Sequence, residues 1–163
     1  MGARDGIKIL LDLEGYNGKS DEYVLAYMKP FLNAVTAANV MYLKRHPRTP
    51  LIYQSGVKWR RENIPVVASF DEPNPNVHWK DCRFIEIWKD IPAILRDGAD
   101  DCEGMTCWRA AELRVRFNRP MARPILRVRN RPNGSRLFHI VVGDGEARED
   151  PSRILGMGLP EAY

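Results

Sequence analysis

Three side chains in this 163-residue chain, Cys102, His139 and Asp150, have the types and the order that thiol-dependent acyl transfer needs. A cysteine attacks a carbonyl as its thiolate, so it requires surroundings that favour the anion and a base that takes the proton. Cys102 opens the run Cys102-Glu103-Gly104-Met105-Thr106-Cys107-Trp108-Arg109-Ala110-Ala111-Glu112-Leu113-Arg114, which reads as a helix that begins at or beside Cys102 and ends near Phe117. Asp100 and Asp101 stand where they could cap it. A thiol at a helix start meets the positive end of the macrodipole and free backbone N–H groups, and both lower its pKa. Cys107 lies five residues on, about 140° round the helix and about 8.6 Å away between Cα atoms. That is beyond disulfide reach, so the two cysteines are not a redox pair. The same segment would also serve as an ordinary buried helix with two inert thiols.

The base is read from a strand, Leu137-Phe138-His139-Ile140-Val141-Val142, followed by the turn Gly143-Asp144-Gly145-Glu146. Asp-Gly favours the centre of a two-residue type I′ turn. Centred on Asp144-Gly145, the hairpin pairs Val142 with Ala147, Val141 with Arg148, Ile140 with Glu149 and His139 with Asp150. Directly opposed residues have Cβ atoms roughly 4.5–5.5 Å apart, close enough for Asp150 to hydrogen-bond the imidazole and fix its tautomer. A three-residue turn would instead put Phe138 opposite Asp150 and His139 opposite Glu149, which makes Glu149 the reserve orienter.

Asp101-Cys102-Glu103-Gly104 followed by Trp108, Ala110, Ala111, Leu113 and Arg114 resembles the nucleophile helix of the transglutaminase-like cysteine peptidase superfamily. Phe138-His139-Ile140-Val141-Val142 is similar to its histidine strand, and Glu149-Asp150-Pro151-Ser152 to its Asp-Pro-Thr/Ser end. The likeness spans Trp88 to Gly156. The wider layout, with Tyr53-Gln54-Ser55-Gly56-Val57 ahead of it, resembles small proteins encoded by tailed bacteriophages. The resemblance implies a papain-like α+β fold with Cys102 as nucleophile, His139 as general base and then acid, and Asp150 as orienting carboxylate. It implies a peptide or amide substrate, with phage structural proteins as possible partners. The short interval between His139 and Asp150 departs from the family pattern and demands a tight hairpin. The Cys102 N–H is the natural first oxyanion donor; Gln54, Trp59 or Trp88 could supply a second.

Other elements must position these groups. Ile7 to Leu13 reads as a strand, Gly15 to Gly18 as a turn, and Ser20 as the N-cap of a helix running to about His46. Tyr23, Val24, Tyr27, Met28, Leu32, Val35, Ala38 and Met41 keep helical spacing there, and Pro30 should kink or split it. Pro47 to Asn76 holds five of the twelve prolines and reads as a surface connection, and Trp88 to Leu95 as a short helix stopping at Gly98. The expectation is one α+β domain over 1–163: an N-terminal strand and helix (1–50), a connecting wrap (51–87), and a core (88–163) in which the nucleophile helix packs on a small antiparallel sheet.

Composition excludes several classes. The chain is 44% hydrophobic and 28% charged, with no 18-residue apolar span for a membrane helix. The N-terminus lacks a signal-peptide pattern, and Gly6 stands where myristoylation wants Ser or Thr. Three cysteines suit a reducing cytosolic compartment, and the resemblance to phage proteins implies the host cytoplasm or the virion as the setting. No Walker loop or dinucleotide fingerprint is present, so no nucleotide cofactor is expected. His78 and Cys82 with Cys102 lack the second close pair of a zinc site, and Asp100, Asp101 and Glu103 are better explained by capping than by magnesium, so no metal is expected either. His46, between Arg45 and Pro47, suits a structural role at a helix end.

The net charge is +4, and from Arg109 to Arg136 nine arginines face the single acid Glu112. No aromatics interleave with them as a nucleic-acid platform requires, so they read as a solvated face. The reading is a thiol amide hydrolase, favoured over a cross-linking enzyme by size. The alternatives are a non-enzymatic virion or assembly protein on the same fold, or a nucleic-acid-binding module using the arginine face.

Overall fold

Helix α1 (Asp21–Arg45) starts where extended Ser20 turns its hydroxyl back to accept from the Tyr23 N–H at 3.2 Å. It closes at His46, whose N–H reaches the Tyr42 carbonyl behind the cationic last-turn residues Lys44 and Arg45. The structure is a computed structural model that describes residues 6–12, 19–61, 65–66, 83–130 and 136–158. The expected turn at Gly15–Gly18, with Leu13, His78 and Cys82, lies outside the described residues. The buried stripe of α1 is Val24, Met28, Leu32, Val35, Thr36, Asn39 and Leu43. Tyr23 and Tyr27, each about 100° back from a buried neighbour, are exposed, as is Met41. Pro30 neither splits nor ends the helix: it sits on the solvent-exposed side, so the hydrogen bond it removes falls away from the core.

Strand β1 (Lys8–Asp12) pairs antiparallel with β4 (Arg83–Lys89), which carries β3 (Pro65–Val66) on its other edge. Between them in sequence come a 3₁₀ turn (Ile52–Gln54) and β2 (Lys58–Trp59). Residues 51–87 therefore contribute strands as well as connections. Trp88 is the penultimate residue of β4, not the start of a helix. Asp90 breaks the strand by accepting from the Ala93 N–H, Pro92 fits the first turn, and α2 (Ile91–Asp97) follows, ending at Gly98. Strand β5 (Ala99–Asp100) runs parallel to β2 and leads into α3 (Cys102–Arg116). Strands β6 (Arg123–Asn130), β7 (Arg136–Asp144) and β8 (Ala147–Glu149) then form an antiparallel sheet, followed by the single turn α4 (Pro151–Ile154).

The class is α+β, and α3 is its centre. Cys107 joins Val24, Met28, Leu32 and Val35 of α1 with Trp88 and Ile140. Met105, Trp108 and Ala111 meet Leu43, Ile52, Val57, Ile91 and Ile94, while Ala110 and Leu113 cover Ala122 and Val142. A helix buried on three sides gains about 1.5–3 kcal/mol for each large apolar side chain removed from water. Gly104 permits the closest approach: a Cβ there would lie 1.7 Å from the buried Asp100 Oδ2. No helix of the described residues is long and apolar enough to cross a membrane.

Candidate functional site

The turn that delivers His139 and Asp150 is centred one residue later than its Asp-Gly pair suggests. Strands β7 and β8 pair Val142 with Glu149, Gly143 with Arg148 and Asp144 with Ala147, so Gly145-Glu146 form the bend. Gly145 is at φ 59° while Asp144 and Glu146 keep negative φ, the type II′ pattern rather than I′. The register thus moves by two residues, which leaves every side chain on its original face. His139 consequently has no direct partner on β8, and Asp150 lies diagonally beyond the strand's end as N-cap of α4. Its Oδ1 accepts from the Arg153 N–H at 3.3 Å, and its Oδ2 sits 2.8 Å from His139 Nε2 and 3.5 Å from Arg153 Nε. Burial opposes ionisation of Asp150, but the hydrogen bond and attraction of His139, helped by Arg153, hold its carboxyl below the usual value.

Glu149 is committed elsewhere. It accepts from the Tyr53 hydroxyl and, at 2.6 Å, from Arg109 Nε. Arg109 also gives a 2.6 Å bond to Glu112, whose other oxygen accepts from the Ile52 N–H. The guanidinium lies 5.0 Å from the Tyr53 ring and 5.3 Å from that of Phe117. Burial, then the bond to Glu149, push the Tyr53 phenol far up. Glu149 is therefore no reserve orienter; it ties the end of β8 to α3. Arg109, Tyr53 and Glu112 are the residues that sequence reasoning misses. The one available signal is Glu112, the single acid in an arginine run, three residues from Arg109.

Cys102 is the first residue of α3, as its sequence context indicates, but its electrostatics are reversed. The Sγ lies 3.4 Å from Glu103 Oε2, and the thiol also receives a backbone hydrogen bond from Ile140. Burial first, then the charges of Glu103 and Asp101, push its pKa well above the ordinary value, against which the Ile140 bond works. A macrodipole offers about half a positive charge, too little to offset desolvation and two carboxylates. Asp101 holds the N-cap position without a side-chain capping bond. Asp100 is buried against Lys89, at 3.1 Å. Cys107 is sealed in the core beside the Leu32 carbonyl, and burial pushes it up to about 12. Both thiols are free.

The structure thus brings His139 and Asp150 together and places Cys102 against the backbone of Ile140, the residue after His139. Thr106 strengthens that junction by donating to the Ile140 carbonyl at 3.0 Å. The Cys102 thiol bonds to Glu103 and not to His139. Trp88 is buried in the cluster that Cys102 packs against, and its Nε1 has no partner among the described residues. Gln54 is exposed, and Trp59 packs with Ile52 in the other cluster. His46 stacks on Tyr42 with ring centroids 4.4 Å apart. Much of the arginine run serves as tethers: Arg114 to the Ala122 carbonyl, Arg116 to the Thr49 carbonyl and Arg119 to Asp144. Arg127 and Arg129 instead line a surface groove of about 450 Å³ beside His139. Comparison with protein-family models, curated proteins and solved structures finds no match for the chain.

Proposed function

We propose that the chain is a thiol-dependent amide hydrolase with a papain-like core of the transglutaminase-like type. The observation that carries the reading is the His139–Asp150 bond at 2.8 Å, on a strand whose next residue, Ile140, touches the Cys102 thiol. With Nε2 turned to Asp150, the lone pair left for catalysis is on Nδ1, the ring nitrogen nearer the main chain. The ring lines the groove on the face of β7 opposite Ile140, so the step requires the thiol to leave Glu103 and the imidazole to turn toward it. Nδ1 then takes the Cys102 proton as sulfur adds to the amide carbonyl. The oxyanion is met by the Cys102 N–H. Collapse breaks the C–N bond, His139 returns the proton to the departing amine, and water added with the same base cleaves the thioester. Because the resting thiol is neutral, the proton moves during attack rather than before it.

That same neutral, carboxylate-flanked thiol favours a second reading, an assembly protein that keeps the frame without turnover. Intact-mass analysis after incubation with a peptide-amide library separates the two. The hydrolase reading expects an acyl adduct on Cys102, cleavage lost in Cys102→Ala and strongly reduced in His139→Ala. Cleavage that survives Cys102→Ala overturns it.

A further inference from the structure

We propose that the groove beside His139 seats an acidic peptide segment, its carboxylates paired by Arg127 of β6 and Arg148 of the β7–β8 hairpin. This names a substrate class for the proposed hydrolase and rests on that reading for its place next to the scissile bond. Arg127 stands directly across β6–β7 from His139, and Arg129 follows on the same face across from Leu137. Arg127 is exposed and makes no hydrogen bond or ion pair among the described residues. Arg148 is exposed too, and among the described residues its guanidinium bonds only the Gly145 and Ala147 carbonyls, with no acid to compensate its charge. The two acids of the groove are already engaged, Glu149 by Arg109 and Asp150 by His139 and Arg153. Arg127 and Arg148 thus leave the groove a positive field. The uncharged part of the lining is otherwise aliphatic, Val128, Leu137 and Val141, and its one ring, His139, is tied to Asp150, which leaves no row of rings on which successive bases could stack. A peptide is favoured over a nucleic acid for that reason.

The test is fluorescence anisotropy with labelled alternating peptides of about eight residues, Glu-Ala, Gln-Ala and Lys-Ala repeats, beside an oligothymidylate of equal charge. At about 50 mM salt the Glu-Ala peptide binds wild type and Cys102→Ala alike, about tenfold more tightly than Gln-Ala, and weakens toward about 500 mM salt. Arg127→Glu weakens it about tenfold and Arg127→Lys much less. Arg148→Glu, at a second exposed site, repeats the loss should Arg127→Glu fold poorly by circular dichroism. Equal binding of Glu-Ala and Gln-Ala, tighter binding of the oligothymidylate, or no loss in either reversal variant overturns the proposal. Amide cleavage is scored separately. Acidic-peptide binding without cleavage refutes the hydrolase and keeps the groove, whereas Cys102-dependent cleavage with no acidic preference does the reverse.

Discussion

Asp150 makes two bonds with its two oxygens, and two substitutions separate them. Asp150→Ala removes both the cap on α4, a 3.3 Å bond near solvent, and the 2.8 Å bond to His139. The cap contributes about 0.5–1 kcal/mol. The partly buried, charge-assisted bond to His139 contributes about 1.5 kcal/mol, the lower end for its kind. Asp150→Ala should therefore cost about 2–2.5 kcal/mol. Asp150→Asn keeps the cap and a neutral hydrogen bond, so it should cost only about 1 kcal/mol. For a chain of this size these are drops in Tm of about 6 °C and about 3 °C. Urea titrations of wild type, Asp150→Asn, His139→Gln and the double variant should give a coupling of about 1 kcal/mol. The pH dependence has a definite sign. The folded carboxyl lies below its unfolded value, so its contribution is whole above about pH 3.9 and fades as pH falls through the lowered folded value. The gap between wild type and Asp150→Asn should thus be open at neutral pH and close in strong acid. Asparagine as damaging as alanine, a coupling of zero, or a gap unchanged in acid would refute the reasoning.

Cys102 should alkylate with iodoacetamide far more slowly at pH 7 than a free thiol, speeding up only at pH above the ordinary cysteine value, and Glu103→Gln should accelerate it; labelling that ignores Glu103 would show that its charge does not set the thiol. Cys107, fully buried, should resist the reagent until the protein unfolds, which peptide mapping across a urea series checks. Gly104→Ala should lose about 3 kcal/mol, the upper end for overpacking, because the new Cβ meets a buried carboxylate fixed by Lys89; a melting point within about 2 °C of wild type would deny that close approach. Glu112→Ala should cost about 3 kcal/mol in urea unfolding, since it strips the Ile52 N–H and one arm of Arg109 of their partner at a fully buried site.

What the sequence makes legible is local. Ser20 and His46 bracket α1, and Cys102 and Phe117 bracket α3, because caps and helical spacing are written within a few residues. Trp88 is misplaced because a helical reading of Trp88 to Leu95 runs across Asp90 and Pro92, the true start signals of α2. The turn type is lost for a different reason. Asp144-Gly145 has the stronger local preference, yet Gly145-Glu146 is where β8 can bend and still present Glu149 to Arg109, forty residues away. The thiol's charge state shows both limits. Glu103 and Asp101 are visible beside Cys102, but the burial that makes their charges count depends on Ile140 and the α1 face. His139 and Asp150 meet as the sequence suggests, since a two-residue shift preserves the strand face.

That same preservation leaves the hairpin with an ambiguity which its hydrophobic pattern cannot resolve. Turns on Asp144-Gly145 and on Gly145-Glu146 bury the same side chains, and the two arrangements differ by a slide of roughly 6.8 Å along β7. The clamp on Glu149 acts as a ratchet tooth: after that slide neither Arg109 nor Tyr53 would find it. A charged cluster of this kind adds little to stability beyond what apolar residues of equal volume would give. Its value is in excluding a neighbour of nearly equal energy. Replacing Arg109 and Glu149 together by methionine and leucine should lower the melting point, because it leaves the buried Glu112 without its ion partner, and should in addition let β7 and β8 exchange between two alignments, seen as paired amide resonances for Val142 and Ala147. Asp150 would then alternate between standing directly across from His139 and reaching it diagonally, so Arg109, which makes no bond to that histidine, governs the geometry in which its partner is held.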